Sequence, residues 1–236
     1  MIWDRVGFGN TEYMIKDSLD SLSGIYKFEF CFVNMIDVER RLDAKDFSLL
    51  SVLSEKETEH LENLRIKKNK VQWVAGRYAV KSALFKYKLA DPSCVDVLKG
   101  EDSAPYIVQY PDLCVSITHS SPYCIGIVAK NKIGVDLETI REPKESLIKH
   151  FYSSSEMDAL ERYKGTEEYS RKSMMYWTRK EAASKLVKMG MSLDFNELDT
   201  SNDMVWVNNQ GIYFKTIMCN EFCVSIAFED KWASLP

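Results

Sequence analysis

Hydrophobic and polar residues alternate in several short runs, and these runs predict strands. Residues 25–33 alternate with many aromatic side chains, which is the pattern of a half-buried strand. Two later groups of runs predict further strands, at 113–118, 123–129 and 132–138, and at 204–207, 212–219 and 222–228. Turn residues separate the last three runs, so we expect them to form a closing antiparallel set.

Helical patterns lie between the strand groups. Ser54 begins the run Ser-Glu-Lys-Glu, a capping box that predicts a helix to about residue 68. A second helix is predicted over about 70–89. The segment 92–112 is typical of loops, and 144–190 is rich in helical patterns. Together the patterns predict an α+β fold.

A faint internal repeat relates the two parts of the chain. Residues 53–61 (LSEKETEHL) resemble residues 152–160 (YSSSEMDAL). The helices that follow carry residues at equal spacing: Trp73, Arg77 and Lys81 in the first, and Trp177, Glu181 and Lys185 in the second. We therefore expect two similar α+β halves, 1–130 and 131–236, related by a pseudo-twofold axis, with the active site in the cleft between them. Two amphipathic helices that agree by chance are the alternative.

The helical period assigns these residues to faces. It places Arg77 and Lys81 opposite a largely apolar stripe on the first helix, and Glu181 and Lys185 opposite such a stripe on the second. One half should then display cations and the other a carboxylate plus a lysine.

Composition narrows the possible functions. The 236 residues carry a net charge of −4, so no global positive field favours nucleic acid or an anionic membrane. No apolar run approaches the roughly 20 residues that span a bilayer. Residues 1–5 (Met-Ile-Trp-Asp-Arg) lack the start of a secretory signal. We expect a cytoplasmic protein whose six cysteines, none in a Cys-x-x-Cys pair, are reduced.

The run Gly-Val-Asp-Leu-Glu at 134–138 carries the first candidate chemistry. On a strand, Asp136 and Glu138 share one face, while their apolar neighbours share the other. Two nearby carboxylates repel each other, and a hard cation such as Mg²⁺ relieves the repulsion. Gly134 leaves room for close backbone approach. An edge strand with an acidic solvent face is the alternative.

A helical run at 177–185 carries a third carboxylate. Glu181 and Lys185 are adjacent on one helix face, which alone would be an ordinary surface ion pair. Trp177 lies one turn earlier on that face. A large aromatic residue there indicates a polar face that is partly enclosed.

Two further segments could contribute to the same site. The run 115–122 (Val-Ser-Ile-Thr-His-Ser-Ser-Pro) enters a hydroxyl-rich turn, where His119 is suited to phosphate contact or belongs to a capped turn. The run 151–156 resembles a helix start in which Glu156 lies in the first turn. Glu156 is explained by the helix dipole, or it is a fourth acid that reaches the cleft.

Together these segments resemble the 4'-phosphopantetheinyl transferase superfamily. The longer, two-halved type that activates carrier domains of synthetases, such as surfactin synthetase, is the most similar. The matching pieces are 75–81, 116–120, 134–138, 151–156 and 177–185. The pseudo-twofold α+β fold of that family agrees with the internal repeat.

The resemblance implies a reaction and a metal. Coenzyme A would be cut at its pyrophosphate, and its phosphopantetheine arm would move to a serine hydroxyl of an apo acyl or peptidyl carrier protein, releasing 3',5'-ADP. Asp136, Glu138 and Glu181 would hold Mg²⁺. Lys185 would pair with a phosphate oxygen near the metal and so serve both binding and catalysis.

The resemblance also implies the other roles. Arg77, His119 and Lys81 would join Lys185 in contacting coenzyme A, with Arg77 nearest the 3'-phosphate. Glu156 or Glu138 would be the base that accepts the serine proton. Glu156 is slightly favoured, because the metal would occupy Glu138.

One departure from the family leaves alternatives open. Many relatives have Gly-Lys-Pro before the histidine strand, whereas residues 103–106 here are Ser-Ala-Pro-Tyr, with Ala104 in place of the lysine. Lys99 or another cation could substitute. A non-catalytic module that binds coenzyme A or a carrier protein is therefore the second hypothesis. A small-molecule kinase is the third, and the absence of Gly-x-x-x-x-Gly-Lys-Ser/Thr weighs against it.

The expected partners are coenzyme A and acidic helical carrier domains, without nucleic acid or membrane. Arg65, Lys67, Lys68 and Lys70 are candidate cations for a carrier, although a solvated charged helix explains them equally well. An internal duplication would make a monomer sufficient.

Overall fold

The computed structural model describes residues 10–229, so the predicted start of the chain at residues 1–5 lies outside the described part. The first part contains α1 (Asn10–Tyr26), β1 (Phe28–Asn34), α2 (Met35–Asp43), α3 (Phe47–Leu50), α4 (Glu55–Asn63), α5 (Lys67–Lys88), β2 (Val97–Lys99), β3 (Pro105–Ile107), β4 (Cys114–Ser120) and β5 (Tyr123–Ala129). The second part contains β6 (Ile133–Thr139), α6 (Glu145–Phe151), α7 (Ser154–Glu161), α8 (Glu167–Val187), β7 (Met204–Val207), β8 (Gln210–Met218) and β9 (Phe222–Glu229).

Two antiparallel sheets form the framework. The first has the order β1-β5-β4, the second has the order β6-β9-β8-β7, and β2 and β3 form a separate hairpin. Helix α5 packs on β1 and β5, and α8 packs on β6 and β9. The predicted α+β class is confirmed, and each predicted strand is present to within a few residues, although residues 25–26 end α1. The prediction of loop over 92–112 is wrong for β2 and β3. None of the helices in the described residues is long and apolar enough to cross a membrane.

One hydrophobic core joins the two sheets. It contains Phe28 and Ile127 from the first sheet, Val135 and Phe228 from the second, and Ile15 from α1, all buried. The predicted boundary after residue 130 falls in the turn between β5 and β6. Because this core crosses that boundary, the sheets are packed in a fixed relation. The division into halves remains a prediction.

The structure repeats one buried polar arrangement. Ser54 and Glu57 form a capping box at the start of α4, and Ser153 and Glu156 form one at the start of α7. Each glutamate is fully buried and pairs with a buried lysine of the long helix that follows, Lys81 in α5 and Lys180 in α8. The two halves share the order strand, short capped helix, long helix and hairpin. We call each glutamate–lysine pair with its capping serine a clamp.

The clamps correct the predicted alignment of the two long helices. The same sequence offset relates Ser54 to Ser153, Glu57 to Glu156 and Lys81 to Lys180. Lys81 therefore corresponds to Lys180, and not to Lys185 as the tryptophan spacing suggested.

The predicted faces of α5 are also wrong. Arg77 and Lys81, which were expected on an open polar face, are 4% and 1% exposed, whereas the apolar Phe85 on the same helix is 44% exposed. Helix α5 is covered on one side by the sheet and on another by the segment around β2, so its polar residues are enclosed as well.

The long helices approach the sheets most closely at glycines. A Cβ atom at Gly134 in β6 would collide with the carbonyl oxygen of Ala182 in α8, and one at Gly126 in β5 would collide with the backbone of α5 near Val80. The expected close approach at Gly134 is therefore present. It brings α8, with Glu181 and Lys185, against the acidic strand β6.

Candidate active site

Side-chain hydroxyls connect the two sheets where β4 lies against β6. Successive hydroxyls on one face of β4 accept hydrogen bonds from backbone N–H groups of β6 at 3.0, 3.0 and 3.2 Å: Ser116 from Val135, Thr118 from Leu137, and Ser120 from Thr139. We call these three bonds the hydroxyl ladder. The sequence predicted only that these hydroxyls flank a histidine suited to phosphate contact; the structure shows that they bind backbone groups of β6.

Asp136 lies beside this ladder and is only 5% exposed. Its Oδ1 atom accepts hydrogen bonds from Lys185 Nζ at 2.6 Å and from Thr118 Oγ1 at 3.1 Å. Its Oδ2 atom is buried and has no hydrogen-bond partner among residues 10–229. Lys185 also donates to the carbonyl oxygen of Val135 at 3.1 Å. One carboxylate oxygen is thus fully engaged and the other is open.

Glu181 and Glu138 lie close enough to Asp136 for its charge to raise their pKa values. Burial raises the pKa of Glu181 to about 7, with Asp136 and Glu138 adding to the shift and Lys185 opposing it. Burial and Asp136 also raise the pKa of Glu138. Carboxylates from β6 and α8 therefore repel one another in a confined space.

This donor set fits a hard divalent cation. Within the described residues, no three side chains of the His, Cys, Asp and Glu types stand in a ready-made coordination group. However, the open Oδ2 atom of Asp136 is a buried acceptor that lacks a partner, and the repulsion felt by Glu181 and Glu138 would fall on cation binding. Mg²⁺ favours oxygen ligands of this kind.

A cleft of about 490 Å³ lies beside these acids. Its walls include residues predicted from both halves of the chain: Arg77, Lys99, His119, Glu181 and Lys185. Lys99 and Ala104 both line this cleft, so Lys99 is placed where a cation could replace the missing lysine.

Arg77 lines the cleft and has one hydrogen-bond donor without a partner among the described residues. Its guanidinium carbon stacks 3.2 Å from the centroid of the Trp73 ring, and its NH2 group donates to the carbonyl of Val97 at 3.2 Å. Its Nε atom is buried without a hydrogen-bond partner in the described part of the chain. Burial lowers the pKa of Arg77 to about 10, which Glu57 partly opposes, so the group stays charged at neutral pH.

Arg179, a buried arginine of α8, differs from Arg77 because each of its nitrogens has a hydrogen-bond partner. All three nitrogens of Arg179 donate to protein acceptors: Thr200 O, Asn202 O, Asp203 Oδ1 and Thr216 Oγ1. Because a buried donor without an acceptor is costly, the open Nε of Arg77 indicates an external anion.

His119 lies on the cleft wall beside Lys185. Partial loss of hydration lowers the pKa of His119, although this residue is exposed, and Lys185 and Lys68 add to the shift while Asp136 opposes it. A neutral imidazole is therefore favoured, and an incoming phosphate would raise its pKa.

Two predicted site residues lie elsewhere. Glu156 is fully buried and accepts hydrogen bonds from Thr200 N at 2.8 Å and Thr200 Oγ1 at 2.6 Å, besides pairing with Lys180 at 2.8 Å. Lys81 pairs with Glu57 and donates to the Val52 carbonyl at 2.7 Å. Both belong to the clamps, so the structure contradicts a free Glu156 at the cleft and a coenzyme A contact for Lys81.

Trp177 is enclosed as its position on the polar face predicted. It packs edge-on against Phe151 and Phe195, with ring centroids 5.4 and 5.8 Å away, and its hydrogen bond to Glu138 lowers the pKa of that acid. Sequence reasoning missed Thr118 and the stacking of Trp73 on Arg77. Only the i, i+4 spacing of Trp73 and Arg77 could have indicated the latter.

The cleft brings the acid Glu181 together with Arg77, Lys99, His119 and Lys185, a combination that suits a phosphorylated ligand. A sequence model of the 4'-phosphopantetheinyl transferase superfamily matches residues 132–230, which contain the three acids and Lys185. The second part of the chain, from β6 to β9, therefore matches this superfamily.

Similar proteins carry related names. A 4'-phosphopantetheinyl transferase of Bacillus subtilis is 24% identical over 157 residues, which are 66% of this chain and 70% of that protein. A holo-[acyl-carrier-protein] synthase of Onion yellows phytoplasma (strain OY-M) is 24% identical over 117 residues, which are 43% of this chain and 92% of that protein.

Solved structures of the synthase type also match. A holo-(acyl-carrier-protein) synthase from Bacillus anthracis str. Ames in complex with CoA (3',5'-ADP) has a TM-score of 0.38 and 21% identity, covering 43% of this chain and 91% of its own. The Helicobacter pylori enzyme in complex with coenzyme A has a TM-score of 0.36 and 21% identity, covering 43% and 97%.

Proposed function

We propose that this protein transfers the 4'-phosphopantetheine arm of coenzyme A to a serine hydroxyl of an apo carrier protein, releasing 3',5'-ADP. One observation carries the proposal. Glu181 and Lys185 of α8, which lie within the family match, line the same cleft as Arg77, and Lys185 pairs with Asp136 of β6 at 2.6 Å. Both relatives named above are enzymes of this kind.

Mg²⁺ is the cation that this donor set fits best. Asp136, Glu138 and Glu181 would hold it, and when bound it would neutralise charge on the pyrophosphate. Lys185 now neutralises Asp136 at 2.6 Å. When a phosphate oxygen enters the cleft, Lys185 can transfer its hydrogen bond to that oxygen, since its side chain is 29% exposed and long enough to turn.

The cationic residues of the cleft bind the adenosine end of coenzyme A. The open Nε of Arg77 donates to the 3'-phosphate, and His119 contacts a neighbouring phosphate oxygen. Lys99 supplies the charge that Ala104 lacks, because both residues line this part of the cleft. This proposal does not use Lys81.

Glu138 is the base of the proposed reaction. The serine oxygen attacks the phosphorus that carries the pantetheine arm, while its proton moves to the Glu138 carboxylate. The bond between that phosphorus and the bridging oxygen breaks, and 3',5'-ADP leaves with the electron pair. The hydrogen bond from Trp177 orients the Glu138 carboxylate.

The carrier protein approaches over the basic start of α5. Lys68 lies close enough to His119 to influence its pKa. Lys67 is engaged with Glu39 at 2.9 Å and Asp43 at 2.8 Å, so it is a weaker candidate than Lys68 or Lys70. Further proposals are membership of the longer, two-halved type, a monomeric state and a cytoplasmic location.

The direct test uses the full chain with coenzyme A, Mg²⁺ and a panel of apo acyl and peptidyl carriers. Intact mass spectrometry should show one carrier gaining a single phosphopantetheine group, and EDTA or Asp136→Ala should prevent the gain. Calorimetric binding of coenzyme A without modification of any carrier would instead support the non-catalytic binding module.

A further inference from the structure

We propose that Thr118 is a positioning residue that directs one oxygen of Asp136 toward the bound cation. This inference rests on the proposed function, because it concerns the same metal site. It assigns to the hydroxyl ladder a task beyond joining the two sheets.

The hydrogen bonds of Thr118 fix the direction of its hydroxyl group. The Leu137 N–H donates to Thr118 Oγ1 at 3.0 Å, so this oxygen already serves as an acceptor. The hydroxyl hydrogen is left to donate, and its partner is Asp136 Oδ1 at 3.1 Å. An ionised carboxylate only accepts, so the opposite direction is excluded.

This bond determines which carboxylate oxygen stays open. Thr118 and Lys185 both bind Oδ1, and Oδ2 remains buried without a partner in the described structure. When Lys185 turns to a phosphate oxygen, Thr118 alone still holds Oδ1. Thr118 is itself rigid, because it is β-branched, buried and bonded to β6. Oδ2 therefore keeps its orientation throughout the reaction.

The ladder offers a matched control. Ser120 Oγ accepts the Thr139 N–H at 3.2 Å, as Thr118 accepts that of Leu137. Its other partner is the Thr139 hydroxyl at 3.1 Å and not a carboxylate. Ser120→Ala thus removes a similar contact between the sheets without touching the acids.

The test measures metal binding without turnover. The complex of the full chain with coenzyme A, lacking any carrier protein, is titrated with Mn²⁺, and the free ion is followed by electron paramagnetic resonance with coenzyme A alone as the blank. Thr118→Val should weaken Mn²⁺ binding by about 10- to 100-fold, the usual effect of losing a hydrogen bond to a ligating group. Thr118→Ser, which keeps the hydroxyl, and Ser120→Ala should retain wild-type affinity.

The outcomes separate this inference from the proposed function. If the wild-type complex binds no Mn²⁺, the metal site itself is refuted, and the role of Thr118 with it. If wild type and Thr118→Val bind Mn²⁺ equally, or if Ser120→Ala weakens binding as strongly, Thr118 has only a structural role. Should Thr118→Val fail to unfold cooperatively, Thr118→Ala carries the same comparison.

Discussion

Replacing Glu156 with glutamine tests whether this acid has a structural role or a catalytic one. Glu156 and Lys180 are both fully buried, and they pair at 2.8 Å. Glu156→Gln leaves the lysine charge without its counter-ion, and removing one partner of a buried pair costs about 3–5 kcal/mol. For a chain of this size that corresponds to a fall in Tm of roughly 6–20 °C.

The matched variant is Glu57→Gln. Glu57 is equally buried, pairs with Lys81 and accepts the Val97 N–H at 2.9 Å, just as Glu156 accepts the N–H of Thr200. The two variants should therefore lose similar free energies of unfolding. Urea denaturation followed by tryptophan fluorescence gives both values.

Activity then decides which acid is the base. At a temperature where the Glu156→Gln variant is folded, its kcat should stay close to wild type. Glu138→Gln should lower kcat by about 10²–10⁴, the usual contribution of a general base, with little change in stability. If Glu156→Gln is as stable as wild type but inactive, the assignment of Glu138 is wrong and Glu156 is the base.

Three further predictions concern the cleft and its support. Arg77→Ala should raise KM for coenzyme A about 10- to 100-fold and abolish discrimination against 3'-dephospho-coenzyme A. Arg77→Lys should not restore this discrimination, because a lysine lacks the guanidinium fork. Unchanged discrimination in Arg77→Ala would refute the assignment of Arg77 to the 3'-phosphate. The pKa of Glu181 in the folded, metal-free protein is raised to about 7, so its contribution to stability is present below pH 4.5 and is lost as pH rises through 7. Glu181→Gln should therefore raise Tm at pH 8 but not at pH 5, as measured by calorimetry in EDTA. A Tm gain at both pH values would contradict this reasoning. Gly134→Ala should destabilise the protein by about 1–3 kcal/mol in denaturant titrations, because the new Cβ atom collides with Ala182. Gly24→Ala is the control and should be neutral or stabilising, because its Cβ atom would meet no atom within 4 Å among the described residues.

The features that the sequence predicted correctly are local ones. The predicted capping box at Ser54 and the predicted helix start within 151–156 depend on residues a few positions apart, and both are present. The family resemblance implied that Asp136 lies near Lys185, although it assigned Lys185 to a phosphate oxygen and not to Asp136. These signals act over short distances, so one sequence is enough to show them.

The features that it missed depend on what covers a helix. Helical periodicity places Lys81 and Arg77 on a polar face, but it does not tell whether that face meets water. Here β2 covers it, although residues 92–112 were expected to be loop, and Val97 binds both Glu57 and Arg77. For the same reason Glu156 was assigned to the cleft, while Thr200 and Lys180 enclose it.

The two clamps share a second feature that involves an arginine of each long helix. In each half a buried glutamate binds a backbone N–H group after the long helix, of Val97 or Thr200, and the carbonyl of that same residue accepts from an arginine of the helix. In the second half, Asp203 and Thr216 complete the set of partners of Arg179. In the first half, Arg77 keeps an open Nε on the cleft wall. The two arginines occupy different positions, four residues before Lys81 and one residue before Lys180, and only Arg179 has a partner for every nitrogen within residues 10–229. We therefore expect Arg179 to secure the fold and Arg77 to be available to a ligand.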